Sequence, residues 1–152
     1  MRILTVRQPW AYAIIHGGKD VENRSRNIAG EYRGPVALHA GLAWDYAGGT
    51  RIWEINKIEI PPFETSGEWD IHGAIIGVVD LTGAHRAFGD NPGGFNLCGH
   101  NGQCSDWAES TGWHLTFARP RPLSEPIPYR GGQGLRKLPD DVAEIVNARA
   151  AS

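Results

Sequence analysis

A lysine, a glutamate and an arginine fall within six residues, at Lys19, Glu22 and Arg24, directly behind a short apolar stretch that opens with Trp10. Two cations can hold a phosphate or a base edge, a carboxylate can accept from an exocyclic amine, and an indole offers a face on which a base stacks. A lysine beside a carboxylate is also a pair that can move a proton. The plainer reading is a surface ion-pair cluster worth under about 1 kcal/mol, with Trp10 as core. Arg33 is a further phosphate-binding candidate on the neighbouring strand, and His39, at the end of that strand, is a candidate for the same cleft. A lone histidine is nevertheless more often structural, so His39 ranks below Lys19.

The elements that position these side chains follow from local patterning. Ile3 to Val6 is a short β-type run. Pro9 suits the first turn of a helix, and Gly17-Gly18 ends that helix near His16. Trp10, Ala13 and Ile14 recur at helical spacing and form a buried face. Asp20 to Arg24 then reads as a strand with Val21 inward and Asp20, Glu22 and Arg24 on the opposite side. Further strands are expected at Gly34 to Ala40, Ile71 to Leu81, Trp113 to Ala118, Leu123 to Tyr129 and Gly134 to Lys137. Gly73 and Gly77 are candidate bends in the second of these. Trp44 to Ile60 reads as mostly helical with an interruption at Gly48-Gly49. Pro139 to Ala150 is a C-terminal helix with Asp140 and Asp141 in its first turn, where the macrodipole favours them. The span 82–112 holds seven of the twenty glycines and little periodicity, which predicts one long loop within a single domain over residues 1–152.

That loop carries Cys98, His100 and Cys104, soft ligands that could supply three of the four positions around zinc, with His85, His114 or Asp106 as the fourth. No Cys-x-x-Cys pair is present, and two cysteines in a reducing compartment are more often free thiols. No metal or other cofactor is therefore assigned.

Several motifs together resemble the ASCH (activating-signal-cointegrator homology) family. They are the Gln-Pro-Trp-Ala helix start at Gln8, the turn Gly17-x-Lys19-x-x-Glu22-x-Arg24, Tyr32-Arg33-Gly34-Pro35, and Gly73 to Leu81. Trp113-His114-Leu115, Pro122 to Gly131 and Gly134-Leu135-x-x-Leu138 follow in the family's order, so the resemblance spans nearly the whole chain. It implies an α+β, PUA-like small β-barrel with flanking helices. It also implies a nucleic-acid-binding, RNA-binding module whose ligand cleft lies beside the barrel near Lys19 to Arg24. Some small bacterial members are amidohydrolases that deacetylate N4-acetylcytidine with a lysine, a threonine three residues on, and a glutamate. Lys19 matches that lysine, but Glu22 stands at the threonine position, and a carboxylate there keeps the lysine charged. Nucleic-acid recognition is the leading expectation, with modified-nucleoside hydrolysis by Lys19 and Glu22, or a protein-interaction adaptor, as alternatives.

A net charge of −2 argues against a generic nucleic-acid coat. The charge is uneven, however: +3 over residues 1–39, −7 over 40–113 and +2 over 114–152. Arg119 and Arg121 would extend a basic track, or mark an exposed edge strand. No apolar run approaches a membrane span, and Met1-Arg2 leads straight into a strand, so no membrane partner and a cytoplasmic location are expected.

Overall fold

The computed structural model describes residues 1–60, 67–87 and 104–150. Their order is β1 (Arg2–Gln8), α1 (Trp10–His16), β2 (Val21–Arg24), β3 (Gly34–Trp44), α2 (Gly48–Asn56), a single 3₁₀ turn (Glu68–Asp70), β4 (Ala74–Arg86), β5 (Trp113–Pro128), β6 (Leu135–Lys137) and α3 (Asp140–Ala150). The fold is α+β. One mixed sheet runs in the order β2-β5-β4-β3-β1-β6, with β1 and β3 parallel and every other neighbour antiparallel.

Both faces of this sheet are covered, which accounts for the nearly continuous apolar runs in β3 and β4. Leu4, Val6, Val36, Leu38, Val79, Leu81 and Leu115 pack with Ile14 and Ile15 of α1. On the other face, Ile3, Ala37, Ile75 and Val78 pack with Leu138 and with Val146 of α3. Gly77 permits the first contact: a Cβ there would lie 2.4 Å from Ile15 Cδ1 and 2.9 Å from the Arg121 carbonyl oxygen. The β4–β5 register slips between Ile75 and Gly77, at the bend expected of that glycine.

The sheet is not closed by hydrogen bonds among the described residues: β6 pairs only with Arg2 to Leu4 of β1, and β2 only with β5. The rest of β1 faces β2 across a gap that the Arg24 Nη2–Thr5 O hydrogen bond (2.9 Å) spans. Three expectations change. The long loop begins later than its composition suggested, because Thr82 to Arg86 continue β4 and pair with β5. Their backbone ladder needs no apolar side chains. The helix expected from Trp44 starts at Gly48, because β3 runs on to Trp44 beside Gln8 of β1. Finally, the two strands expected on either side of Arg119 to Pro122 are one bent strand, with Arg119 at a left-handed φ of 49° in the bend.

Among the described residues, no helix is long and apolar enough to cross a membrane.

Candidate functional site

The gap between β1 and β2 is a cleft of about 860 Å³. Lys19 and Glu22 form its floor and are buried, with 3% and 11% of their side chains exposed, so the surface ion-pair reading does not hold. Lys19 Nζ donates to Glu22 Oε2 at 3.0 Å and to the Val21 carbonyl oxygen, and it sits 5.5 Å from the centre of the Trp10 ring. Arg24 approaches the same carboxylate from the other side, with Nε 3.2 Å from Glu22 Oε1. That nitrogen is the one buried side-chain nitrogen or oxygen among the described residues with no aligned hydrogen bond. Two cations therefore share one carboxylate in a largely dry setting.

Trp10 is fixed in the wall by its Nε1, which donates to Asp45 Oδ2 at 2.9 Å. The α1 start that carries it is organised by Gln8, fully buried, whose Oε1 accepts from the Tyr12 N–H and whose Nε2 donates to the Ile71 carbonyl oxygen. The Gln-Pro-Trp motif is thus a brace that aims the indole.

The opposite wall is Trp107 to Thr111, within the segment 104–112. Asn23 holds it as a strand would, with Nδ2 donating to the Trp107 carbonyl oxygen and Oδ1 accepting from the Glu109 N–H, both at 2.9 Å. Ser105 Oγ donates to Asp20, and Trp107 is buried with Ala13, Val21 and Ile52. Sequence reasoning passed over Arg7, Asp45, Arg51, Trp107 and Glu109, all of which line the cleft. The one signal available was Trp107 itself, a large apolar residue inside a polar, glycine-rich stretch. The lining also mixes the charge blocks: Arg7, Lys19, Arg24 and Arg51 face Glu22, Asp45 and Glu109. The cleft is mildly cationic rather than one face of a charge-segregated surface.

Two other candidates lie elsewhere. His39 is 2% exposed and held on both ring nitrogens, by Thr5 Oγ1 at 3.2 Å and the Tyr129 carbonyl oxygen at 2.9 Å. Burial lowers its pKa below 6.5, although the Tyr129 carbonyl pulls the other way. Arg33 is exposed and closes its own turn by donating to the Gly30 and Tyr32 carbonyl oxygens. Neither borders the cleft.

Arg119 and Arg121 do not extend a basic track; both clamp Asp80, at 2.6 Å from Arg119 Nε to Oδ2 and 2.8 Å from Arg121 Nη2 to Oδ1. The Arg121 hydrogen bond, helped by that of Arg119, holds the Asp80 carboxyl below its ordinary 3.8 despite the opposing effect of burial. Because the folded-state pKa is depressed, the clamp stabilises the fold above pH 3.8 and is lost as pH falls through the folded value. Asp80→Asn is expected to cost about 1 kcal/mol at pH 7, kept small by the exposure of Arg119, with the gap to wild type closing below about pH 4. Urea unfolding of both proteins from pH 7 to pH 3 checks this; a constant gap would contradict it.

Of the metal candidates, Cys98 and His100 lie outside the described residues. Cys104 meets His85 and His114, and Asp106 is not in that group.

Comparison with known proteins supplies the fold-level context. No family model matches the sequence, and no curated protein matches it. Among solved structures, an ASCH protein from Zymomonas mobilis superposes with a TM-score of 0.53 over 97% of this chain and 93% of its own, at 15% identity. The chain has the ASCH fold. Two single-substitution variants of the same Zymomonas mobilis protein match equally, at 16% identity and a TM-score of 0.53, over 94% and 96% of their lengths. At this identity the likeness concerns the ASCH fold alone, and the Lys19–Glu22–Arg24 cleft is argued from its own geometry.

Proposed function

We propose that the cleft between β1 and β2 recognises a nucleotide within RNA or DNA, and that the protein is a nucleic-acid-binding ASCH module. The observation that carries this is the buried Lys19–Glu22 pair with the partly exposed Arg24, in which two cations share one carboxylate at the floor of a nucleotide-sized cleft beside Trp10. Such a floor holds an excess positive charge in fixed geometry, suited to one phosphate or base edge rather than to a long polyanion. The Lys19 ammonium already donates to two acceptors, which suits holding charge better than accepting a proton. Recognition therefore fits these residues better than hydrolysis.

Fluorescence anisotropy with labelled single- and double-stranded RNA and DNA, across a salt series, tests the reading. Arg7 is the variant of choice because it borders the cleft and is exposed, so its loss leaves the fold intact. Binding is expected to weaken with salt, and Arg7→Ala to flatten the log–log slope by about 0.7 for a single strand. Absence of binding to all four probes would remove nucleic acid as the ligand and leave a free modified nucleoside or a protein partner.

A further inference from the structure

At the end of β4 and the start of β5, three soft ligands converge. His85 and His114 are directly opposed in the β4–β5 register, which brings their rings to 5.2 Å in an edge-to-face arrangement. Cys104 reaches the same point from the segment that walls the cleft. Cys104 Sγ lies 3.4 Å from His114 Nδ1, His114 Nδ1 lies 3.4 Å from His85 Nε2, and all three ligand atoms fall within 4.8 Å of one another.

Those separations are close to what a metal imposes. Bond lengths of about 2.0–2.1 Å to nitrogen and 2.3 Å to sulfur put ligand atoms about 3.3–3.6 Å apart around a tetrahedral ion. Two of the three edges already have this length. The outer coordination sphere fits as well: His114 Nε2 is 2.7 Å from the Glu109 carbonyl oxygen, and an N–H donated there leaves Nδ1 as the lone-pair nitrogen facing Cys104 and His85. A metal-bound histidine is oriented in this way by its second nitrogen. Cys104 is half-buried and lines a surface hollow with Asp20 and Asp106, which gives an ion a path from solvent.

We propose that His85 Nε2, His114 Nδ1 and Cys104 Sγ form a binding site for a borderline-soft divalent ion of the zinc class, of which these three are the ligands among the described residues. Two nitrogens and a thiolate select such an ion over magnesium or calcium, and binding releases the thiol proton to solvent. The site ties the ends of β4 and β5 to the 104–112 segment, so the ion acts as a clasp on the outer wall of the cleft.

The full chain, stripped with a chelator and dialysed, is titrated with Co²⁺ and then Zn²⁺. One equivalent of Co²⁺ per chain is expected, with tetrahedral d–d bands and a thiolate-to-cobalt charge-transfer band that Zn²⁺ bleaches. Zinc at a hundredfold excess over its dissociation constant should raise the melting temperature by about 5–10 °C. Cys104→Ser should abolish the charge-transfer band and weaken uptake about tenfold or more. If that variant fails to fold, zinc protection of Cys104 from alkylation in the wild type, mapped by mass spectrometry, gives the same answer. Sub-stoichiometric uptake, a cobalt spectrum unchanged in Cys104→Ser, or alkylation of Cys104 indifferent to zinc would each overturn the proposal and leave a hydrogen-bonded Cys–His–His cluster.

Discussion

Glu22→Gln is expected to lower stability by about 3–5 kcal/mol, a fall of about 6–20 °C in melting temperature for a domain of this size. The substitution keeps the shape of the side chain but removes the counter-charge from Lys19, whose side chain is 3% exposed. The ammonium then has the Val21 carbonyl oxygen, the Trp10 ring and a neutral amide oxygen, none of which carries a full negative charge. Lys19→Met is expected to cost less, about 1–3 kcal/mol, because Arg24 stays 3.2 Å from the Glu22 carboxylate that is left behind. The double variant Lys19→Met with Glu22→Leu should recover part of the loss, since an apolar pair of similar volume removes the desolvation cost of both charges while the partly exposed Arg24 loses its carboxylate. Thermal and urea unfolding of the three variants and wild type measures these differences. Costs below about 1 kcal/mol for both single variants would restore the surface ion-pair reading.

Gly112→Ala should destabilise the protein by about 2–5 kcal/mol and displace Arg24. Gly112 has φ +85°, and a Cβ there would stand 2.5 Å from the Arg24 carbonyl oxygen, a backbone atom that cannot swing aside. The position also matters to the neighbouring turn, because the Gly112 carbonyl oxygen accepts from the Ala87 N–H at 2.8 Å. Relief of the clash must move either the start of β5 or the end of β2. Either movement disturbs the Arg24 contacts with Thr5 and Glu22 that shape the cleft. Unfolding curves measure the first effect and nucleic-acid anisotropy the second. A variant that melts within about 1 °C of wild type would mean that this approach is looser than the geometry requires.

Much of the frame was legible residue by residue. The α1 helix ends where Gly17-Gly18 interrupts its apolar spacing, and β4 announces itself through Ala74 to Leu81. The β4 extension through Thr82 to Arg86 was not legible, because its side chains are small, polar or charged and only its pairing with Trp113 to Thr116 makes it a strand. The same holds for Leu42 to Trp44 at the end of β3, where exposed apolar residues break the alternation.

The site divides along the same line. Local spacing alone shows that a lysine, a glutamate and an arginine follow an indole-bearing helix on a tight turn and the short strand after it, since residues three to five apart on neighbouring local elements are placed by backbone geometry. Tertiary structure decided that Lys19 and Glu22 are buried and that Arg119 and Arg121 turn to Asp80 rather than to a ligand. It also decided that His39 is tied to Thr5 and Tyr129, and that Asp45, Arg51, Trp107 and Glu109 complete the cleft. The convergence of His85, Cys104 and His114 belongs to that second group as well. Each depends on strand register and on segments distant along the chain, and the energies that select a register are sums over packed neighbours, which no local window contains.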